Sequence, residues 1–188
     1  MLVSLGLMAI AGFCAKIVDE IAERKLNVGV ALPLLLAMLY GLSLGWLASQ
    51  TLLGPLLLAL AAASMLAGKI DHPYHLLGAV CFAAMFAFLP LLTFEPWLFA
   101  LFLLSGLLDE LNIGRPASGT LALLNTERLW TPLAALSAWL FLGATPLFIL
   151  AIVCFDIAYR FGRWCVELRY PIRGQARTPA KANARKRK

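Results

Sequence analysis

Carboxylates stand close to other ionisable residues at three places in this chain. Residues 16–23 read "KIVDEIAE", and their charged residues follow the i, i+3, i+4, i+7 spacing of one helix face. Residues 69–75 read "KIDHPYH" and hold both histidines, and residues 107–111 read "LLDEL". Carboxylate oxygens are the ligands that a hard cation such as Mg²⁺ prefers, and histidine is the commonest acid–base group near neutral pH. These segments therefore predict a Mg²⁺ or acid–base site, provided that the fold brings them together.

At a fourth place, Asp156 lies inside the apolar stretch "PLFILAIVCFDIAYRFGR" at 146–163, one helical turn before Arg160. A charge in such a stretch is costly, and it normally faces a helix-bundle interior or a watery cavity. Two interpretations remain open: an internal ion pair with Arg160, or a cavity whose floor is Asp156. Both predict that Asp156 is shielded from the apolar surroundings.

The candidate site residues fall into three groups by chemistry. Those for catalytic roles are Asp19, Glu20, Asp71, His75, Asp109, Glu110 and Asp156. Those for metal ligation are Asp19, Glu23, Asp71 and Asp109. Those for binding a phosphorylated substrate are Lys16, Lys69, Arg115, Arg128 and Arg160. Plainer interpretations of these residues also exist. Residues 16–23 would then be a solvated helix end, and residues 69–75 a polar turn that caps a helix. Arg115 and Arg128 would be charges that determine the topology.

The composition identifies the surroundings in which these residues must be held. Of the 188 residues, 62% are hydrophobic and 14% are charged, and the mean hydropathy is +0.85. Soluble domains are about 45–50% apolar and about 25% charged, so a soluble domain of this length is excluded. At about 20 residues per spanning helix, we predict an all-α, polytopic integral membrane bundle. The first basic residue, Lys16, follows the first apolar run, whereas a signal peptide has its positive charge before the run, so we expect a retained first helix.

Seven hydrophobic segments are expected within a bundle that covers 1–168, followed by a basic, disordered tail at 169–188. The segments are 2–18, 28–48, 52–68, 73–89, 95–112, 128–142 and 145–168. The second segment contains Gly41 and Gly45 in the GxxxG spacing that lets a neighbouring helix approach closely. The last two are separated by "GATP" at 143–146. Alternatively, 128–168 forms one helix, for six in total, or a re-entrant hairpin.

The distribution of basic residues favours seven segments over six. In the seven-segment arrangement all 16 Lys and Arg residues lie on the side of the C-terminal tail, and the connections on the opposite side carry none. By the positive-inside rule, this predicts a multi-pass protein of the cell membrane with an outside N-terminus and a cytoplasmic C-terminus. The basic tail is expected to contact anionic lipid headgroups, and no module for specific nucleic-acid binding is recognised.

The ionisable residues therefore gather toward a polar, acidic cavity that faces the cytoplasm. This pattern favours a divalent-metal-dependent enzyme, with Mg²⁺ the expected metal, that acts on a phosphorylated lipid or isoprenoid. A small-solute or cation transporter or channel is the alternative, since its pore can be lined by uncharged groups. A non-catalytic subunit of a membrane complex is the second alternative.

Overall fold

A computed structural model describes residues 1–111 and 128–170 of the chain. Arg115 and nearly all of the basic tail lie outside the described residues. Within the described part there are seven helices and no strand, which confirms the all-α prediction. The helices are α1 (Leu2–Arg24), α2 (Ala31–Gln50), α3 (Gly54–Leu66), α4 (Pro73–Phe88), α5 (Pro96–Leu111), α6 (Trp130–Leu142) and α7 (Leu147–Arg169).

Proline and glycine set several of the helix boundaries. Pro73 occupies the first turn of α4, and the His72 side chain caps that helix by accepting a hydrogen bond from the Tyr74 backbone N–H. Gly143 ends α6 in the left-handed conformation, with φ 68°, which glycine adopts without steric cost. Pro146 then precedes α7. The break predicted at 143–146 is confirmed, and the alternative of one continuous helix over 128–168 is wrong.

Two of these helices, α1 and α2, are long and apolar enough to cross a membrane. The apolar helices α3, α4 and α6 have only 13, 16 and 13 residues, whereas a spanning helix needs about 20. A signal sequence or the buried core helix of a soluble protein passes the same test as α1 and α2. Helix length and composition therefore do not confirm a seven-span bundle.

The helices pack so that alternate helices along the chain point the same way. α1 lies against α7 and α2, α4 lies against α2, α3 lies against α5, and α6 lies against α5. Gly12 approaches Phe155 near the middle of α1 and α7, and Arg24 reaches Glu167 near their ends, so these two helices are parallel. Gly41 meets Gly78, and Gln50 reaches Pro90, so α2 and α4 are also parallel.

Glycines allow the backbones of two helix pairs to touch. A Cβ atom on Gly41 would stand 2.2 Å from the carbonyl oxygen of Gly78, and one on Gly12 would stand 2.4 Å from that of Phe155. One on Gly45 would stand 2.7 Å from the carbonyl oxygen of Phe82. The close approach predicted from Gly41 and Gly45 is thereby confirmed, and α4 is the helix that makes it. Such contacts through small residues are typical of helix packing in membranes.

We predict that Gly41→Ala destabilises the protein by about 1–3 kcal/mol, as overpacking generally does, because the added methyl group meets backbone that cannot move alone. Thermal unfolding in detergent measures the effect. Gly6→Ala is the matched control, since Gly6 is also within a helix and its added methyl group meets nothing within 4 Å. Equal unfolding temperatures for the two variants would contradict the packing described here.

Candidate functional site

Four polar side chains from four helices form one hydrogen-bonded network, which we call the Asp19–His75 network. Its members are Asp19 of α1, Tyr40 of α2, His75 of α4 and Tyr159 of α7. The Asp19 Oδ1 atom lies 3.0 Å from His75 Nε2, and the Tyr159 hydroxyl donates a hydrogen bond to Asp19 Oδ2. The Tyr40 hydroxyl lies 3.3 Å from His75 Nδ1. The network therefore occupies both oxygens of the carboxylate and both nitrogens of the imidazole.

These contacts define what the imidazole of His75 can do with a proton. The Asp19 carboxylate requires a donor at Nε2, so a neutral His75 carries its proton there and accepts from the Tyr40 O–H at Nδ1. When His75 takes up a second proton at Nδ1, that N–H can donate to the Tyr40 oxygen instead. The site can therefore gain or lose one proton without losing a hydrogen bond, which suits acid–base chemistry.

The network lies toward the end of the bundle that contains Arg24 and Arg169, which we call the basic end. Its side chains are only partly shielded from the surroundings of the bundle. The His75 and Asp19 side chains retain 20% and 22% of their full exposure. Asp19 precedes the end of α1 at Arg24 by five residues, and His75 is in the first turn of α4. The pair is thus within reach of a small group that enters from this end.

A chain of ion pairs continues from the network along α1 and α7. Lys16 Nζ lies 2.9 Å from Glu20 Oε1 and 5.0 Å from the centre of the Tyr159 ring. Glu20 also pairs with Arg24, whose guanidinium lies 3.6 Å from Glu167. Lys16 and Glu20 are buried, so the interpretation of 16–23 as a wholly solvated helix end is wrong for these two residues. Buried charges need such partners because an unpaired one is strongly destabilising.

Asp109, predicted as a catalytic or metal-binding residue, caps a helix. Its two carboxylate oxygens accept hydrogen bonds from the backbone N–H groups of Trp130 and Thr131, at 3.0 and 2.9 Å. These are donors of the first turn of α6 that have no partner within the helix. The adjacent Glu110 lies 3.4 Å from Arg128. Through these side-chain contacts, the end of α5 at 107–111 is held against the start of α6.

The other candidates lie on the surface of the described structure. Exposed side chains belong to Glu23, Lys69, Asp71, Arg128, Asp156 and Arg160. The expected shielding of Asp156 is not confirmed. Ile152 and Gly162 are buried on the face of α7 that also carries Tyr159, and Asp156 lies beside this face, because successive helical residues are about 100° apart. The side chains of Asp71 and His75 are not brought together: His75 contacts Asp19, whereas Asp71 is exposed in the turn before α4.

The predicted convergence of three acidic segments is found for two of them. Asp19 and His75 join 16–23 to 69–75, while 107–111 contacts 128–131 instead. Across 1–111 and 128–170, no group of three His, Cys, Asp or Glu side chains is placed to hold a metal ion. Binding of Mg²⁺ stays a prediction from the sequence, and the metal-ligand roles of Asp19, Glu23, Asp71 and Asp109 stay predictions with it.

Two members of the network, Tyr40 and Tyr159, were not among the sequence candidates. A signal for Tyr40 was present, since it is the one side chain of α2 that carries an ionisable group, and a phenol in apolar surroundings needs a hydrogen-bond partner. Tyr159 stands next to Arg160 in the sequence, and the i, i+4 spacing there singles out Asp156 and Arg160 and not Tyr159. Only the tertiary contacts show which tyrosines meet which acid or base.

Comparison with known proteins gives no further assignment: no family model, no curated protein and no solved structure matches this chain.

We predict that Asp19→Asn lowers the free energy of unfolding by about 1.5–3 kcal/mol, the range for hydrogen bonds to charged groups, because it weakens the contacts to both His75 and Tyr159. Thermal unfolding in detergent is the measurement. Asp71→Asn makes the same chemical change at an exposed carboxyl and should leave the unfolding temperature unchanged. Equal effects of the two substitutions would show that the network does not hold the helices together.

Proposed function

We propose that this chain is a multi-pass membrane enzyme that acts on a phosphorylated lipid or isoprenoid at the cytoplasmic leaflet, with His75 as its acid–base group. The observation that carries the proposal is the placement of His75 between the Asp19 carboxylate and the Tyr40 hydroxyl, at 3.0 and 3.3 Å. A base held by a carboxylate on one nitrogen, with a hydroxyl at the other, is a recurrent arrangement for acid–base and nucleophilic catalysis.

The outer surface of the helices supports the membrane part of the proposal. Large apolar side chains are exposed on most helices, among them Phe88 and Phe141, each 81% exposed, and Leu104, 62% exposed. An apolar surface of this extent marks contact with lipid or with another protein. The backbone contacts at Gly12 and Gly41 add the packing mode that is common between helices in lipid.

The tryptophans support two membrane boundaries. Trp46, Trp97 and Trp139 lie near the ends of α2, α5 and α6 that share one side of the bundle, and Trp164 lies near the opposite end of α7. All four side chains are exposed. Tryptophan is enriched at both membrane–water interfaces because its ring is apolar and its N–H is polar. The seven described helices are accordingly proposed to traverse or enter the membrane between these levels.

The orientation follows from the basic residues, all of which in the described ranges lie toward the end of the bundle that contains Arg24 and Arg169. The opposite end is formed by the α2–α3, α4–α5 and α6–α7 connections, none of which contains Lys or Arg. By the positive-inside rule, the end with Arg24 faces the cytoplasm. The Asp19–His75 network then faces the cytoplasmic leaflet.

We predict that reporter fusions place the N-terminus outside and the C-terminus in the cytoplasm, because an odd number of membrane segments separates them. A reporter inserted at 143–146 should respond as the N-terminal one does. Finding both termini on the same side of the membrane would contradict the seven-segment topology.

The chemistry assigned to His75 is the transfer of one proton to or from the substrate. Asp19 keeps the imidazole in the tautomer with its proton on Nε2 and stabilises the positive charge that develops when Nδ1 takes a proton. Tyr159 holds the second oxygen of Asp19, so the carboxylate stays in place while His75 reacts. This proton transfer is independent of whether Mg²⁺ binds elsewhere on the chain.

The residues around Asp19 and His75 support the choice of a phosphorylated amphiphile as the substrate. Arg24 lies on the same helix as Asp19 and is partly exposed, whereas Lys16 is buried against Glu20 and the Tyr159 ring. Arg24 pairs with Glu20 and Glu167, but an arginine has five N–H donors, so donors remain on Arg24 for phosphate oxygens, and the apolar surface of the helices can accept a lipid chain. The phosphate group would approach from the basic end while the chain stays in the membrane.

We predict that the purified protein in lipid vesicles converts a polyprenyl phosphate or phosphatidic acid, followed by ³¹P NMR, and that His75→Gln slows the conversion about 100-fold. General acid–base catalysis contributes rate factors of this order. Glu95→Gln, an exposed change at the opposite end of the bundle, is the control and should retain the wild-type rate. An unchanged rate in His75→Gln would refute the role of His75.

A second candidate, a proton-coupled transporter, is favoured by one observation: the Asp19–His75 network is a hydrogen-bonded chain through four helices. Vesicles that contain a pH-sensitive dye distinguish it from the enzyme. Proton flux that depends on His75, without any change in the ³¹P spectrum, would replace the enzyme by the transporter. If neither proton flux nor conversion of the lipid is found, the non-catalytic subunit of a membrane complex would be the interpretation that remains.

A further inference from the structure

We propose that Tyr40 is the nucleophile of this site, so that Asp19, His75 and Tyr40 act as a carboxylate–imidazole–hydroxyl triad toward an electrophilic phosphorus. The inference rests on the proposed function and extends it, since it names the atom that attacks the substrate. Tyr40 was not a candidate on sequence grounds, and the helix that carries it, α2, has no charged residue.

The order of contacts assigns a different role to each member. Asp19 contacts Nε2 of His75, and the Tyr40 hydroxyl contacts Nδ1, so the imidazole lies between the acid and the hydroxyl. The rings of Tyr40 and His75 are 6.5 Å apart between centroids, with 45° between their planes, so they are not stacked and the hydroxyl meets the ring edge at its nitrogen. This is the geometry in which a base can remove the proton of a nucleophile, while a third group orients the base.

Tyr159, the second tyrosine of the network, has no imidazole at its hydroxyl that could remove the hydroxyl proton. The Tyr159 hydroxyl donates to the Asp19 carboxylate, which is already shared with His75 and is a much weaker base than a neutral imidazole. Tyr159 is thus a positioning residue that holds Asp19. It gives a comparison within the same network between a reactive and an unreactive phenol.

Gly78 provides the space that brings the Tyr40 hydroxyl to His75. A Cβ atom at position 78 would stand 2.1 Å from the Tyr40 oxygen, so any larger residue would displace the hydroxyl. Gly78 is one turn after His75 on α4, and it is the one residue of this helix that is buried. The close packing of α2 on α4 therefore brings the hydroxyl and the imidazole together.

A phosphate ester would react in two displacements at phosphorus. The Tyr40 oxygen forms a bond to phosphorus, the hydroxyl proton moves to His75 Nδ1, and the bond from phosphorus to the leaving oxygen breaks. The leaving oxygen departs on the side of phosphorus opposite Tyr40, because attacking and leaving oxygens are in line, and it takes a proton from water there and leaves as an alcohol. The hydroxide formed from that water then attacks the phosphotyrosine from the same side, and the tyrosine oxygen leaves phosphorus and recovers its proton from His75, which releases phosphate.

An alkyl fluorophosphonate tests this chemistry directly, because attack by a hydroxyl forms an oxygen–phosphorus bond and expels fluoride. The full-length protein in detergent is labelled, and the modified residues are identified by peptide mass spectrometry. We expect label on Tyr40 rather than on Tyr159 or Tyr74. His75→Gln and Asp19→Asn should slow the labelling about 100-fold and about 10-fold, respectively, in line with loss of the base and of its orienting group. Tyr40→Phe should abolish it.

Three results would overturn the proposal: labelling of Tyr40 at the same rate in His75→Gln, equal labelling of Tyr40 and Tyr159, or no label on Tyr40. A measurement on the unaltered chain covers the case in which a variant does not fold. An excess of dodecyl phosphate should slow the labelling of Tyr40 and leave that of Tyr74 unchanged. If dodecyl phosphate does not protect Tyr40, this result would count against Tyr40 as the site that reacts with a phosphate ester.

The outcomes also separate this inference from the proposed function. Conversion of a lipid phosphate that requires His75, in a chain whose Tyr40→Phe variant keeps the full rate, would remove Tyr40 from the mechanism and leave the enzyme. His75-dependent labelling of Tyr40 without conversion of any phosphorylated lipid would retain the triad and reject the proposed substrate class.

Discussion

The contact between Asp19 and His75 is the interaction that ties α4 to α1, two helices that otherwise touch little. Gly78 is the only fully buried residue of α4, and the apolar side chains that this helix packs against the core, such as Phe82 and Phe86, are only partly buried. His75 supplies what the apolar contacts do not, a 3.0 Å contact to a carboxylate on α1 and a second contact to α2. In apolar surroundings such polar contacts are strengthened, since the local dielectric is low.

The backbone contacts at glycine and the polar network depend on each other. The Tyr40 hydroxyl reaches His75 only because Gly41 and Gly78 let α2 and α4 approach to backbone contact. Conversely, the hydrogen bond fixes the rotation of α4, because only one face of this helix presents both His75 and Gly78 to α2. A change at either glycine is therefore expected to act on chemistry as well as on packing.

Local features were predictable from the sequence, and contacts between distant segments were not. Apolar run lengths, together with Pro73 and the "GATP" break, located the helices, because proline and glycine restrict the backbone locally. The spacing of Gly41 and Gly45 predicted a close neighbour but not that the neighbour is α4. Asp19 and His75 are 56 residues apart in the chain. To predict their contact, one must know how α1 and α4 are rotated about their axes. Apolar periodicity gives little information about this rotation when a helix is apolar all round.

The two Asp-Glu pairs show why a shared motif did not predict a shared role. Asp109 accepts from backbone N–H groups of α6, donors that keep their protons under ordinary conditions, so these contacts fix a helix end. Asp19 accepts from an imidazole and a phenol, both of which can exchange protons. The donors around a carboxylate therefore distinguish the two motifs in this bundle, and the donors around Asp19 favour the proposed acid–base site where α1, α2, α4 and α7 meet.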